Sequence, residues 1–150
     1  MTDFHDFKLN DAITRALTEE KYVTPTPIQA QTIPTVMAGR DVIGIAQTGT
    51  GKTAAFALPI LHRLAGNPRA LEHKTCRVLV LSPTRELSGQ ILDSFRAYGR
   101  HLRINAALVI GGVTLALAIA DVPLATLAHQ SLNASGGSVP AAGTTARSAP

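Results

Sequence analysis

Cysteine is almost missing from this chain: Cys76 is the only one in 150 residues. That excludes an intrachain disulfide and a cysteine zinc cluster. Charge is also sparse, at 16% of residues, against 45% apolar. Such a balance fits one compact α/β domain with many buried strands. The opening residues "MTDFHDFK" have neither a basic nor an apolar leader region. Nothing in them directs secretion, and a cytoplasmic location is the expectation. Long apolar runs are missing with one exception, "INAALVIGGVTLALAIA" at 104–120, which is 17 residues without a charge. A membrane helix needs about 20, and Gly111-Gly112 interrupts the run; a strand followed by a turn is the better expectation. The net charge of +4 and pI near 9.7 suit a polyanionic partner, but the excess is small.

Periodicity outlines the order of elements. Leu9, Ile13 and Leu17 recur at helical spacing. Thr26 is placed to cap a second helix, with Pro27 at its first position and Gly39 to end it. "DVIGIA" (41–46) reads as an apolar strand, and a helix follows from Lys52 to Leu64, kinked at Pro59. "RVLVLS" (77–82) reads as a second strand closed by Pro83. A helix over 85–100 carries Leu87, Ile91, Phe95 and Tyr98 on one side. "INAALVI" (104–110) reads as a third strand. Strands alternating with helices predict right-handed crossovers and a parallel sheet. Beyond Gly112 only Asp121 and Arg147 are charged, and the last twenty residues mix Ser, Ala, Gly and Pro without an apolar period. That composition predicts a disordered tail.

"AQTGTGKT" (46–53) matches a phosphate-loop pattern, with Ala46 in place of the first glycine. Gln47, Thr48, Gly49, Thr50 and Gly51 form the turn between a strand and a helix. Its glycines let successive N–H groups face a β-phosphate, and the helix N-terminus adds partial positive charge. Lys52 is then expected to reach the β- and γ-phosphates, and the Thr53 hydroxyl to hold Mg²⁺. A nucleoside triphosphate and Mg²⁺ are the expected ligands of such a loop.

Three more stretches accompany the loop: "TPTPIQ" (24–29) with Phe4 upstream, "PTRELSGQ" (83–90), and Gly111-Gly112. In this order and spacing, the four stretches resemble the front end of the DEAD-box RNA helicase family, over about residues 4–115. The resemblance implies a partial RecA-like P-loop domain: an α/β fold, a parallel sheet with flanking helices, and a disordered C-terminal tail. It divides the chain into a Q-motif helical region (1–40), an incomplete RecA-like ATP-binding domain (41–115) and an atypical tail (116–150). It implies that Gln29 reads adenine, since a carboxamide offers a donor and an acceptor to the base. Thr26 and Gln29 also have capping-box spacing, so helix capping stays open beside adenine recognition. Phe4 and Tyr22 match the aromatics that pack on the base. Lys21 stands where the family usually has glycine. Pro83, Thr84, Arg85, Gly111 and Gly112 match the positions that grip an RNA backbone without reading sequence. A local ion pair between Arg85 and Glu86 is the alternative for that motif.

The family's hydrolytic chemistry also needs an Asp-Glu-Ala-Asp motif, which the 150 residues do not contain. Asp121 is the only carboxylate after Asp93. The TPGR-type and Ser-Ala-Thr motifs are absent too. The expectation is a helicase-type chain that binds ATP and RNA but is inactive in hydrolysis. A non-catalytic binding module and a frameshifted, non-functional fragment are the alternatives.

Overall fold

A computed structural model of the chain describes residues 3–69, 75–110 and 115–119. Caps set where most of its helices begin. Asp3 caps a single 3-10 turn, Phe4–Phe7. Asn10 then accepts a hydrogen bond from the Ala12 N–H (3.0 Å) and starts α1, Asp11–Glu19. Leu9, Ile13 and Leu17 are all buried, as their spacing predicts. Helix α2, Pro27–Met37, has Pro27 at its first position, where a missing N–H costs nothing. Gly39 ends its last turn at φ +77°, a backbone conformation that favours glycine. Helix α3, Lys52–Gly66, runs on through Pro59, which is buried. Thr84 caps α4, Arg85–Tyr98, by accepting from the Leu87 N–H at 3.2 Å.

The core forms around α3. Leu58 and Leu61 are 0% and 1% exposed. They sit in one cluster with Ile13 and Leu17 from α1, Ile33 from α2, and Ile91 and Phe95 from α4. Each fully buried aliphatic side chain of this kind stabilises the fold by about 1.5–3 kcal/mol. Helix α2 packs along α3, and this contact holds the phosphate loop against the residues that precede α2.

The sheet departs from expectation in two ways. Strands β1 (Val78–Ser82), β2 (Ala106–Ile110) and β3 (Leu115–Ile119) have the order β1-β3-β2. Both outer strands pair antiparallel with β3, Val80 and Leu108 each facing Leu117. Strands β1 and β2 therefore run in the same direction, as the crossover through α4 requires, but no hydrogen-bonded pair is parallel. The connection from Ile110 to Leu115 explains this. A parallel return needs a dozen or more residues, whereas a link this short permits only a hairpin. Strand β3 also crosses the boundary expected at 115, so residues 116–119 are strand. Gly111, Gly112 and residues 120–150 lie outside the described residues.

The second departure is at 41–46, where a buried strand was expected. The segment joins no sheet, and Ile43 and Ile45 are each 92% exposed. A strand needs a partner for its N–H and C=O groups and a layer to cover its side chains. Among the described residues no strand pairs with this segment, and Ile43 and Ile45 find nothing to bury them.

Candidate nucleotide-binding site

The phosphate loop sits at the N-terminus of α3, where Gly51 is the N-cap residue at φ +83°. Gly49 has φ +79°, and open space lies where its side chain would project. At Gly51 a Cβ would come within 2.3 Å of Gln29 Nε2, so the position has no room for a side chain. The Thr50 hydroxyl donates to the Gln47 carbonyl at 2.8 Å and tightens the turn. The Ala55 N–H bonds back to the Gly51 carbonyl. Among the described residues, no hydrogen bond uses the N–H groups from Gly49 to Ala54. A row of unspent donors at a helix N-terminus is what an anionic phosphate requires.

Lys52 lies over the same loop. Its ammonium donates to the Ala46 carbonyl at 2.6 Å and to the Gln47 carbonyl. Gln47 and Thr48 are exposed beside it. Thr53, on the first turn of α3, shares with Lys52 the wall of a cleft of about 550 Å³. Phe56, Val80, Leu87 and Ile91 supply the apolar part of that wall. The first turns of α3 and α4 therefore open on one cleft.

The N-cap and first turn of α2 are tied directly to the loop. The Thr26 hydroxyl donates to the Thr50 carbonyl at 2.9 Å, and Gln29 Nε2 donates to the Gly51 carbonyl at 3.1 Å. Gln29 Oε1 accepts from the Thr26 N–H at 2.9 Å, which is the return arm of a capping box. Gln29 is 2% exposed, so in this conformation its amide braces the loop. Each amide atom keeps one bonding position in reserve.

Phe4 and Tyr22, the aromatics expected to pack on a base, pack on each other and on the core in this structure. Phe4 is 2% exposed, with its ring edge-on to Phe7 at 5.8 Å and to Tyr22 at 5.9 Å. The Tyr22 hydroxyl pairs with that of Tyr98 at 2.9 Å. Phe4 is a core residue, folded inward by the capped turn at Asp3, and Tyr22 is partly buried against the same cluster. Burial, followed by the Tyr22 hydrogen bond, pushes the Tyr98 phenol well above its usual range.

At the start of α4, Pro83 and Arg85 are exposed, and Arg85 forms no ion pair among the described residues. The Arg85–Glu86 pair is thus not formed. The Thr84 carbonyl is spent on the Ser88 hydroxyl (3.0 Å) and the Ser88 N–H (3.0 Å). Among the described residues no hydrogen bond uses the N–H groups of Arg85 and Glu86, and both residues are exposed. Among the described residues no group of His, Cys, Asp and Glu is arranged to hold a metal ion, and no helix is long and apolar enough to cross a membrane. Sequence reasoning missed the Thr26 bond to the loop, since capping explained that residue already. It also missed an arginine cluster at the far end of α3, whose members are separated in sequence.

Comparison with known proteins agrees with this geometry. The DEAD/DEAH box helicase family matches residues 26–133, which extends past the four motifs. An ATP-dependent rRNA helicase RRP3 of Yarrowia lipolytica is 46% identical over 123 residues, covering 80% of this chain and 25% of the relative. The DEAD-box ATP-dependent RNA helicase 36 of Arabidopsis thaliana is 50% identical over 91 residues, covering 61% and 18%. The chain thus spans about a quarter or less of the curated relatives it matches. Among solved structures, the RNA helicase Prp28 from Chaetomium thermophilum bound to ADP superposes with a TM-score of 0.67 at 35% identity, over 75% of this chain and 27% of that one. A DEAD box protein from Methanococcus jannaschii gives 0.55 at 31% identity, over 65% and 26%. With a glycine-built phosphate loop, a glutamine bound to it, and this match over most of its length, the chain belongs to the DEAD/DEAH box helicase family.

Proposed function

We propose that this chain is the ATP- and RNA-binding portion of a DEAD-box RNA helicase, works in the cytoplasm, and does not hydrolyse ATP by itself. One observation carries the reading. Thr26 and Gln29 are hydrogen-bonded to the very carbonyls, Thr50 and Gly51, that shape a loop of unspent N–H donors. An adenine-selective segment and a phosphate cradle are thereby built as one unit.

In this reading the Lys52 ammonium exchanges the carbonyls of Ala46 and Gln47 for phosphate oxygens. The loop N–H groups hold the β-phosphate. The Thr53 hydroxyl is positioned to hold Mg²⁺, which when bound neutralises phosphate charge. Gln29 uses its reserve bonding positions on adenine. RNA meets the N-terminus of α4, where Thr84, the unpaired Arg85 and two free N–H groups contact backbone phosphates; Gly111 and Gly112 match a further backbone-contact motif of the family. Hydrolysis needs an acid to hold Mg²⁺ and another to position water, and no Asp-Glu-Ala-Asp motif is present to supply them.

The test is titration with a fluorescent ADP analogue, alongside phosphate release with and without RNA. The chain should bind the analogue and prefer adenine to guanine nucleotide, and Lys52→Ala should weaken binding by tenfold or more. Phosphate release should stay at background. RNA-stimulated turnover would overturn the inactive part of the reading, and failure to bind adenine nucleotide would overturn the rest.

A second reading, a fragment without independent function, is favoured by the exposure of Ile43 and Ile45. It predicts aggregation of the purified chain, and sedimentation separates the two.

A further inference from the structure

At the end of α3 opposite the phosphate loop, a cavity of about 530 Å³ opens beside the starts of β1 and β2. Among the described residues its wall carries Arg69, Arg77, Arg103 and His101 and no carboxylate; Leu64, Leu102 and Ile104 give it apolar surface. Helix α3 alone separates it from the phosphate loop by roughly 20 Å, at 1.5 Å per residue. The length of β1 separates Arg77 from Thr84 by about the same distance. The cavity therefore belongs neither to the nucleotide site nor to the α4 contact.

Among the described residues its arginine charge is uncompensated. Arg77 and Arg103 form no ion pair or hydrogen bond among the described residues. Arg69 bonds only the Asn67 side chain, at 3.3 Å. His101 is already turned to Glu19, at 3.0 Å. Arg96 near the end of α4 and Arg100 just after it behave differently: Arg96 meets Asp93, and Arg100 meets Glu19 and Glu20. Arg77 is half-buried, which makes an unpaired charge there more costly and an anionic partner more favourable.

We propose that this cavity is a second RNA-backbone site, in which Arg69, Arg77 and Arg103 hold phosphodiester groups of a single strand. The guanidinium fork matches phosphate oxygens in pairs. A nucleotide unit also brings an apolar face, which Leu102 and Ile104 can cover, whereas a small anion would leave that surface wet. The described wall offers no amide or carboxylate side chain beyond Asn10 to read base edges, so the contact is independent of sequence. The proposal rests on the RNA reading above for the identity of the polymer, and on separate residues for the site.

The experiment uses the whole 150-residue chain and a labelled oligouridylate, with fluorescence anisotropy followed across a salt series. The double variant Arg77→Gln/Arg103→Gln should weaken binding about tenfold at low salt and flatten the salt slope by about 0.7 per arginine. Binding of the ADP analogue should not change. Arg77→Lys/Arg103→Lys should keep the slope, since the charge is retained. If the lysine variant loses binding as fully as the glutamine one, the arginines serve folding and the proposal fails. An unchanged slope in the glutamine variant, with binding lost in Arg85→Gln, also overturns it while leaving the α4 contact intact. Loss in the glutamine variant alone, with Arg85→Gln unaffected, supports this site and overturns the α4 contact. No RNA binding by the unaltered chain overturns both. Displacement of the RNA by oligoglutamate or inorganic tripolyphosphate at equal charge would assign the cavity to an acidic peptide or a free polyphosphate instead, and overturn it.

Discussion

The helical side of this molecule and its open sheet side use the same kinds of residue to opposite effect. Among the helices, Ile13, Ile33 and Leu58 are completely buried. On the sheet side, Ile43 and Ile45 are 92% exposed, and Leu79 and Leu81 of β1 are 57% and 64% exposed. An isoleucine is no more apolar in one place than in the other. What differs is how far along the chain its covering partner lies. Helix α3 finds α1, α2 and α4 within the described residues. The outward faces of β1 and of segment 41–46 find no layer there, and leave an apolar surface of the kind that drives association.

The largest expected effect tests that contrast directly. Leu58→Ala should cost about 2–5 kcal/mol, since it removes a core side chain and leaves a cavity. Ile43→Ala should fall within about 0.5 kcal/mol of zero. Denaturant unfolding of the two variants measures both. Near-equal losses would show that 41–46 is buried in solution. Amide exchange sharpens the same point, because residues 41–46 lack ladder bonds and should exchange far faster than the centre of α3.

This division also explains what could be read from the sequence. Helix limits were legible because their signals are local. Thr26, Pro27 and Gly39 bracket α2, and the glycines before Lys52 open α3. The phosphate loop and its glutamine were legible for the same reason, as motifs that carry their own geometry. Sheet pairing was not. The apolar run at 41–46 is compatible with a strand but does not name a neighbour, and β3 pairs back only because the link after Ile110 is short. Nothing in the spacing of Phe4 and Tyr22 revealed the Tyr98 hydroxyl, 76 residues away from Tyr22. The arginine cavity was hidden likewise, since Arg69, Arg77 and Arg103 converge only through the fold.

A middle-sized effect lies within α4. Gly89 has no atom within 4 Å of where a Cβ would project, and its φ is not positive. Gly89→Ala should therefore stabilise the chain by about 1 kcal/mol, through helix propensity and a less flexible unfolded state. Thermal unfolding reads the change. A loss of stability would mean that α4 meets a neighbour at this face, and would blur the line between its packed and open sides.

The smallest effect concerns the polar seam that closes the helical side. His101 Nε2 lies 3.0 Å from Glu19, Arg15 stands 3.2 Å away along α1, and Arg100 reaches both Glu19 and Glu20. The His101 hydrogen bond, and after it Arg15, hold the Glu19 carboxyl below its ordinary value of 4.5. A carboxylate whose folded value is depressed adds stability that is complete above 4.5 and is lost as the pH falls through the lower, folded value. Glu19 is solvent-exposed, so water and salt screen the contribution. Stability measured from pH 6 downward should therefore begin to fall near pH 4.5, and Glu19→Gln should remove part of that slope at low salt. Raising the salt should shrink the difference between the two proteins. The same titration on Ile43→Ala should retain the full slope, because the seam joins α1 to the turn after α4 and segment 41–46 takes no part in it. A slope unaffected by Glu19→Gln would show that the ends of α1 and α4 are held without this seam, by apolar contacts such as those of Leu17 and Phe95.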